Sequence, residues 1–187
     1  MVQELKNAAK SGDWSKCRTV TLSLFKTIPL DDVLQITINS VESYLPTFQN
    51  HYPNENWPYI RLGQIKQDIF SDTMLPMEQV IFPEWDKQYN TPGDNNFISA
   101  IGTLWQLLKF KSNSEKAIEM SIDAISQVFM GICVEVWGMS HLELWNKLFE
   151  PENKADQFIL STHFRPSNKY KTMSCRLWTE LADQISR

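Results

Sequence analysis

Apolar residues recur at three- and four-residue spacing along almost the whole chain, the period of an amphipathic α-helix. "VQELKNAAK" predicts a short first helix stopped at Ser11-Gly12. Asp13 stands where an N-cap belongs for "WSKCRTVTLSLFKTI", in which Val20, Leu24 and Ile28 repeat with Phe25 beside them. Pro29 suits the first turn of a third helix whose apolar face is Leu30, Val33, Leu34, Ile36, Ile38, Val41 and Leu45. "VTLSLF" and "VLQITI" are rich enough in β-branched residues to keep strand as a minority reading.

From Pro46 to Pro58 the pattern breaks, and three prolines, three asparagines and the rings of Phe48, His51, Tyr52 and Trp57 predict an ordered turn. "YIRLGQIKQDIF" is helical again, with Ile60, Ile65 and Ile69 on its inner face. Pro76, Pro83 and Pro92 then prevent one long helix. The stretch 74–92 is the place for a lid or a recognition loop, and 74–96 is the candidate subdomain boundary. Asp94, Asn95 and Asn96 are caps for a helix striped by Phe97, Ile101, Leu104 and Leu108, with Trp105 next to the stripe. Ser114 is the expected cap of the helix with the cleanest pattern. There Ile118, Ile122, Ile125, Phe129, Ile132 and Val136 fall near one line at ~100° per residue. Past Phe129 that helix is apolar on every side, the mark of a central element. Ser140 caps "HLELWNKLFE", and "NKADQFILSTHF" and "SCRLWTELADQI" follow. The expected fold is all-α: one domain over residues 1–187, a bundle of about eight helices around a central apolar helix near 115–137.

Composition narrows the partners. Eighteen Lys+Arg against 22 Asp+Glu leave a net charge of −4, and the densest basic run is the "KFK" at 109–111. Nucleic-acid affinity rests on clustered cations, so a nucleic-acid partner is not expected and a basic protein is the more natural one. Cys17, Cys133 and Cys175 are odd in number, widely spaced and without a CxxC, which suits a reducing compartment better than a disulfide framework. The polar N-terminus has no signal-peptide core, and no apolar run was expected to reach the ~20 residues of a membrane span. A soluble cytoplasmic protein is the expectation.

Candidate chemistry is sparse. Glu135 is the one charge in "VFMGICVEVWGM". The favoured reading is an edge-of-core carboxylate paired with Arg61, Arg165 or Arg176. The sharper alternative is a desolvated acid fit for proton transfer, which would place a pocket beside it. Glu115, Glu119 and Asp123 share a helix face but lie off the apolar stripe, so a solvated acidic face is expected rather than a metal site. His51, His141 and His163 are scattered, and "SHLELW" lacks the H-E-x-x-H spacing. No G-x-S-x-G, P-loop or G-x-G-x-x-G occurs. No metal, no cofactor and no catalytic residue is assigned, and the balance favours a non-enzyme.

One segment resembles a family. In "YLPTFQNHYPNENWPYIRLGQI", an apolar helix ends in Leu45-Pro46 and Phe48, Tyr52-Pro53 follows, Asn54 and Asn56 form a turn, and Pro58 opens the next helix. That succession resembles a family of helical putative immunity proteins. The family carries arginines around the last proline; here Trp57 and Tyr59 flank it and the nearest arginine is Arg61. The resemblance implies a bacterial interaction protein that binds and blocks a toxin without catalysis. Phe82, Trp85, Tyr89, Trp57 and Tyr59 are the aromatic candidates for the partner surface. The residues alone read as two helices meeting at an angle, with Phe48, Tyr52, Trp57 and Tyr59 wedged between them. The alternative function is a small all-α enzyme or ligand-binding protein with its pocket near Glu135.

Overall fold

The computed structural model describes residues 1–71, 89, 92–137 and 167–186. Those residues form α-helices and one 3-10 turn, with no strand among them, so the strand reading of "VTLSLF" and "VLQITI" is dropped. The helices expected at "HLELWNKLFE" and "NKADQFILSTHF", and most of the 74–92 stretch, lie outside the described residues.

Local signals account for the first helices. α1 (Val2–Ser11) ends at Gly12, whose φ of 72° is left-handed and costs least at glycine. Gly12 N–H donates to the Ala9 carbonyl and Asp13 N–H to that of Ala8, which closes the helix end. Asp13 then accepts from Lys16 N–H at 2.9 Å and starts α2 (Trp14–Phe25). α3 (Leu30–Glu42) begins just after Pro29, with Asp31 and Asp32 at its positive end. It stops short of Leu45.

The proline-rich corner differs from expectation. Leu45–His51 is a short helix, α4, with Pro46 in its first turn, where a missing N–H costs nothing. α5 (Trp57–Ile69) opens in the same way with Pro58. Ile65 and Ile69 are buried, but Ile60 is 47% exposed and does not belong to the inner face.

α6 (Pro92–Leu107) runs into a 3-10 turn (Leu108–Phe110), and α7 (Ser114–Trp137) and α8 (Asn168–Ile185) complete the described elements. α6 starts two residues before Asp94, so Asp94 sits inside the first turn rather than capping it. The side chain that begins α7 is Asn113, which accepts from Lys116 N–H at 3.2 Å, and not Ser114. The first start lies two residues before Asp94, and the second cap is one residue before Ser114.

α7 is the central helix, packed on α2, α3, α6 and α8, and its most extensive partner is α6. Ile118, Ile122, Ile125 and Phe129 are buried as the stripe required, and so are Ala124, Val128, Cys133 and Val134 on other faces. By length and composition α7 is apolar enough to cross a membrane, which corrects the expectation that no run was. Its neighbours in the fold account for that apolarity, since most of the helix is buried against them.

Candidate functional site

α6 and α7 approach closely where Gly93 meets Gly131. A Cβ on Gly131 would lie 2.9 Å from the Gly93 carbonyl oxygen. A Cβ on Gly93 would lie 2.7 Å from Glu135 Oε2 and 3.0 Å from the Gly131 oxygen, and would overlap the Tyr44 hydroxyl. Two glycines therefore make a notch, and the notch is filled by polar side chains. Glu135 stands one turn beyond Gly131 on the same face of α7, and Asp94 follows Gly93 in the first turn of α6.

Between the two carboxylates lies His51, the last residue of α4. Its Nδ1 is 3.1 Å from each Asp94 carboxylate oxygen, and its Nε2 is 3.2 Å from Glu135 Oε1. Both carboxylates are satisfied at once only when both ring nitrogens carry protons, because a neutral imidazole has a single N–H. The Tyr44 hydroxyl is 3.2 Å from Asp94 Oδ1 and 3.2 Å from Glu135 Oε2, and donates its one proton to either. Asp94 is fully buried, whereas the His51 and Glu135 side chains are each 28% exposed. The cluster is thus anchored in the core and reaches solvent through His51 and Glu135.

Among the described residues Glu135 is paired with His51 and Tyr44 rather than with an arginine. Arg61 donates to Gln64, Arg176 pairs with Glu180, and Arg165 is outside the described residues. Nor is Glu135 an unpartnered acid in apolar surroundings, since the Tyr44 hydroxyl and His51 Nε2 each lie 3.2 Å from its carboxylate. Its real partners, Tyr44 and His51, are seven positions apart at the α3–α4 corner. In the sequence His51 is one of three scattered histidines, and Asp94 reads as a cap. A spacing of seven places two helical residues on one side, which was the available signal.

An aromatic cluster buttresses the site. Phe48 is fully buried, with the rings of Tyr52, Trp57, Tyr89 and Phe97 at centroid distances of 5.1, 6.2, 5.3 and 5.5 Å. Trp57 Nε1 donates to the Tyr89 hydroxyl at 2.7 Å. Trp57 and Tyr89 are therefore interior, not exposed, while Tyr59 is 65% exposed and wedges between nothing. Phe82 and Trp85 lie outside the described residues.

The acidic row is a solvated face, as expected. Glu115 pairs with Lys26, Glu119 with Lys116 and Asp123 with Arg18. An open groove of about 340 Å³ runs along it, lined by Arg18, Thr19, Leu22, Glu119, Ile122 and Asp123. No cluster of three or more potential metal ligands with suitable geometry occurs among the described residues. No family model, no curated protein and no solved structure matches this chain.

Proposed function

We propose that this chain is a protein-interaction module, a cytoplasmic bacterial protein of the immunity type that binds and neutralises a toxin. We take it as a single helical domain. The observation that carries the reading is the outer face of α5. Tyr59, Ile60 and Phe70 are 65%, 47% and 46% exposed. Helical spacing sets Tyr59 and Phe70 on one side of α5 with Gly63, and Ile60 on its flank. Lys111 Nζ donates to the Ser71 carbonyl at 2.7 Å and so ties the segment holding Phe110, 37% exposed, to the end of the same helix. Large apolar groups left in water on the element that completes the immunity-like segment supply aromatic anchors for a partner.

A second reading rests on His51 and Glu135. A partly exposed histidine oriented by a buried aspartate is an arrangement that acid–base sites use, and a ligand with a polar group could engage it. That reading keeps the small enzyme or binding protein in play.

Growth protection tests both. The product of the adjacent gene is expressed in a bacterial host with and without this chain. The expected result is growth arrest relieved by a co-purifying complex. Tyr59→Ser with Phe70→Ser should weaken that complex by about 30-fold or more, the loss of hot-spot anchors worth about 2 kcal/mol. Protection that survives this change but fails in His51→Gln would transfer the function to the polar cluster. No protection and no complex would overturn the immunity reading.

A further inference from the structure

The outward side of α5 carries no charge. Tyr59, Ile60, Gly63, Gln67 and Phe70 fall within about 100° of one another around the helix axis, and all five are exposed. The charged residues of the helix, Arg61, Lys66 and Asp68, stand on its flanks and are partly buried. Lys66 pairs with Glu42 at 3.0 Å. On the uncharged side a hole and a knob are aligned. Gly63 is the hole, since a Cβ added there meets nothing within 4 Å. Phe70, 46% exposed, is the knob. Seven residues separate them, so they lie on one line, about 10.5 Å apart along the axis. Phe110, 37% exposed, continues the apolar surface past the end of α5, because Lys111 Nζ donates to the carbonyls of Asp68 and Ser71 at 3.3 and 2.7 Å.

We propose that a second copy of this chain covers this face, in a two-fold pair of antiparallel α5 helices. The proposal rests on the face that carries the interaction reading: the pair is the state of the chain without a toxin, and a toxin displaces the second copy. The two-fold axis passes between Lys66 and Gln67, midway between hole and knob. Phe70 of each copy then enters the notch at Gly63 of the other, and both contacts form at once, as an isologous interface requires. Tyr59 of the other copy, one turn beyond its Gly63, reaches past the end of α5 toward Phe110. The Lys66 ammonium near the axis is compensated by Glu42 of its own copy. Each copy has a net charge of −4, so pairing through charged surfaces sets like charges together, and the uncharged face escapes that opposition. The area sets the strength. At the ~150–250 Å² of an aromatic side chain, Tyr59, Phe70 and Phe110 with Ile60 leave roughly 300–400 Å² of apolar surface in water per copy. A standard interface buries about 800 Å² per partner, so the pair is a weak one, with a dissociation constant on the order of tens of micromolar. A weak pair is what a face that must be released to another protein requires.

The test is sedimentation equilibrium of the full chain under reducing conditions, from about 2 to about 500 μM, a range that brackets the expected constant. The expected result is a closed monomer–dimer equilibrium whose constant changes by less than about twofold between about 0.05 and 0.5 M salt, because no charge pair crosses the face. Gly63→Gln fills the notch without meeting anything in the monomer, and should raise the dissociation constant at least about tenfold. Phe70→Ser should do the same by removing the knob. Gly63→Phe combined with Phe70→Gly exchanges knob and hole, and should recover most of the wild-type affinity. The wild type and Gly63→Gln decide the matter even where a Phe70 variant loses structure. A monomer over the whole range would overturn the proposal and leave the toxin reading standing. So would a dimer indifferent to Gly63→Gln, a dimer that salt dissociates, growth into larger oligomers, or no recovery in the exchanged variant. A dimer that behaves as expected while growth protection fails would support this proposal and overturn the toxin reading alone.

Discussion

Gly93 and Gly131 decide what can sit between α6 and α7, and each glycine has a different obstacle. A methyl on Gly131 would press on the Gly93 carbonyl, which is backbone and cannot step aside. A methyl on Gly93 would press on Tyr44 and Glu135, whose ends are held by the hydrogen bonds of the cluster. Both Gly→Ala changes should cost about 1–3 kcal/mol by overpacking, with Gly131→Ala the larger. Gly63→Ala is the control, since nothing lies within 4 Å of its added Cβ in the middle of α5. It should stabilise by about 0.5–1 kcal/mol. Urea midpoints of the three variants test the ordering, and a Gly93→Ala protein as stable as wild type would mean that the notch is not tight. The carboxylates separate in the same way. Asp94→Asn, fully buried, should cost about 1–3 kcal/mol, because it replaces an acceptor-only group that faces both the Tyr44 hydroxyl and His51 Nδ1. Glu135→Gln, partly in water and able to keep one acceptor, should cost about 1 kcal/mol. Equal losses would show that burial does not set the difference. In the sequence Glu135 was conspicuous as a lone charge in an apolar run. Its partner was not, because His51 and Asp94 each fit a commoner local role and only the tertiary crossing of α4, α6 and α7 brings them together.

At the scale of elements, start signals were legible wherever one side chain did the work alone. Asp13 was read as a cap and is one, and Pro58 opens its helix as its fixed φ and absent N–H allow. Asp13→Ala removes the acceptor for Lys16 N–H and should cost about 1 kcal/mol, read from the thermal or urea transition. Asn113→Ala should cost a similar amount at α7, and Ser114→Ala should cost little; the reverse order would return the cap to Ser114. Signals failed where several polar residues crowd one boundary, as at Asp94–Asn96 and Asn113–Ser114, since capping propensity alone cannot choose among adjacent candidates. They failed again at α4, where prolines at Pro46 and Pro53 suggested an irregular turn although the residues between them have room for a short helix. On α5 the repeat of isoleucines suggested a single inner face. Ile60 lies about 140° from Ile65 on the helical wheel, so the two could not share one.

For the molecule as a whole, the apolar periodicity carried the all-α architecture and the central place of α7, because burying one stripe per helix leaves few alternatives. The polar interior did not follow from periodicity, and it is where the folded state acquires its dependence on pH at the alkaline end. Cys17 and Cys133 are each raised from 9.0 to about 12, by burial above all. In the unfolded chain both thiols return to the ordinary range. The folded values lie above the unfolded ones, so the contribution of these thiols to stability is fully present below about pH 9. It is lost as pH rises toward about 12, because the unfolded chain releases protons that the native chain still holds. The slope should approach about 1.4 kcal/mol per pH unit for each thiol once the unfolded chain is ionised. Lysines and tyrosines titrate in the same range, so the total slope is not diagnostic and the variants are. Under reducing conditions, urea midpoints at about pH 8 and about pH 10 should differ less for Cys17→Ser and for Cys133→Ala than for wild type. Each substitution should flatten the decline even where it lowers stability outright at about pH 8 through a small cavity. A decline as steep in both variants as in wild type would mean that neither thiol keeps its proton in the folded state.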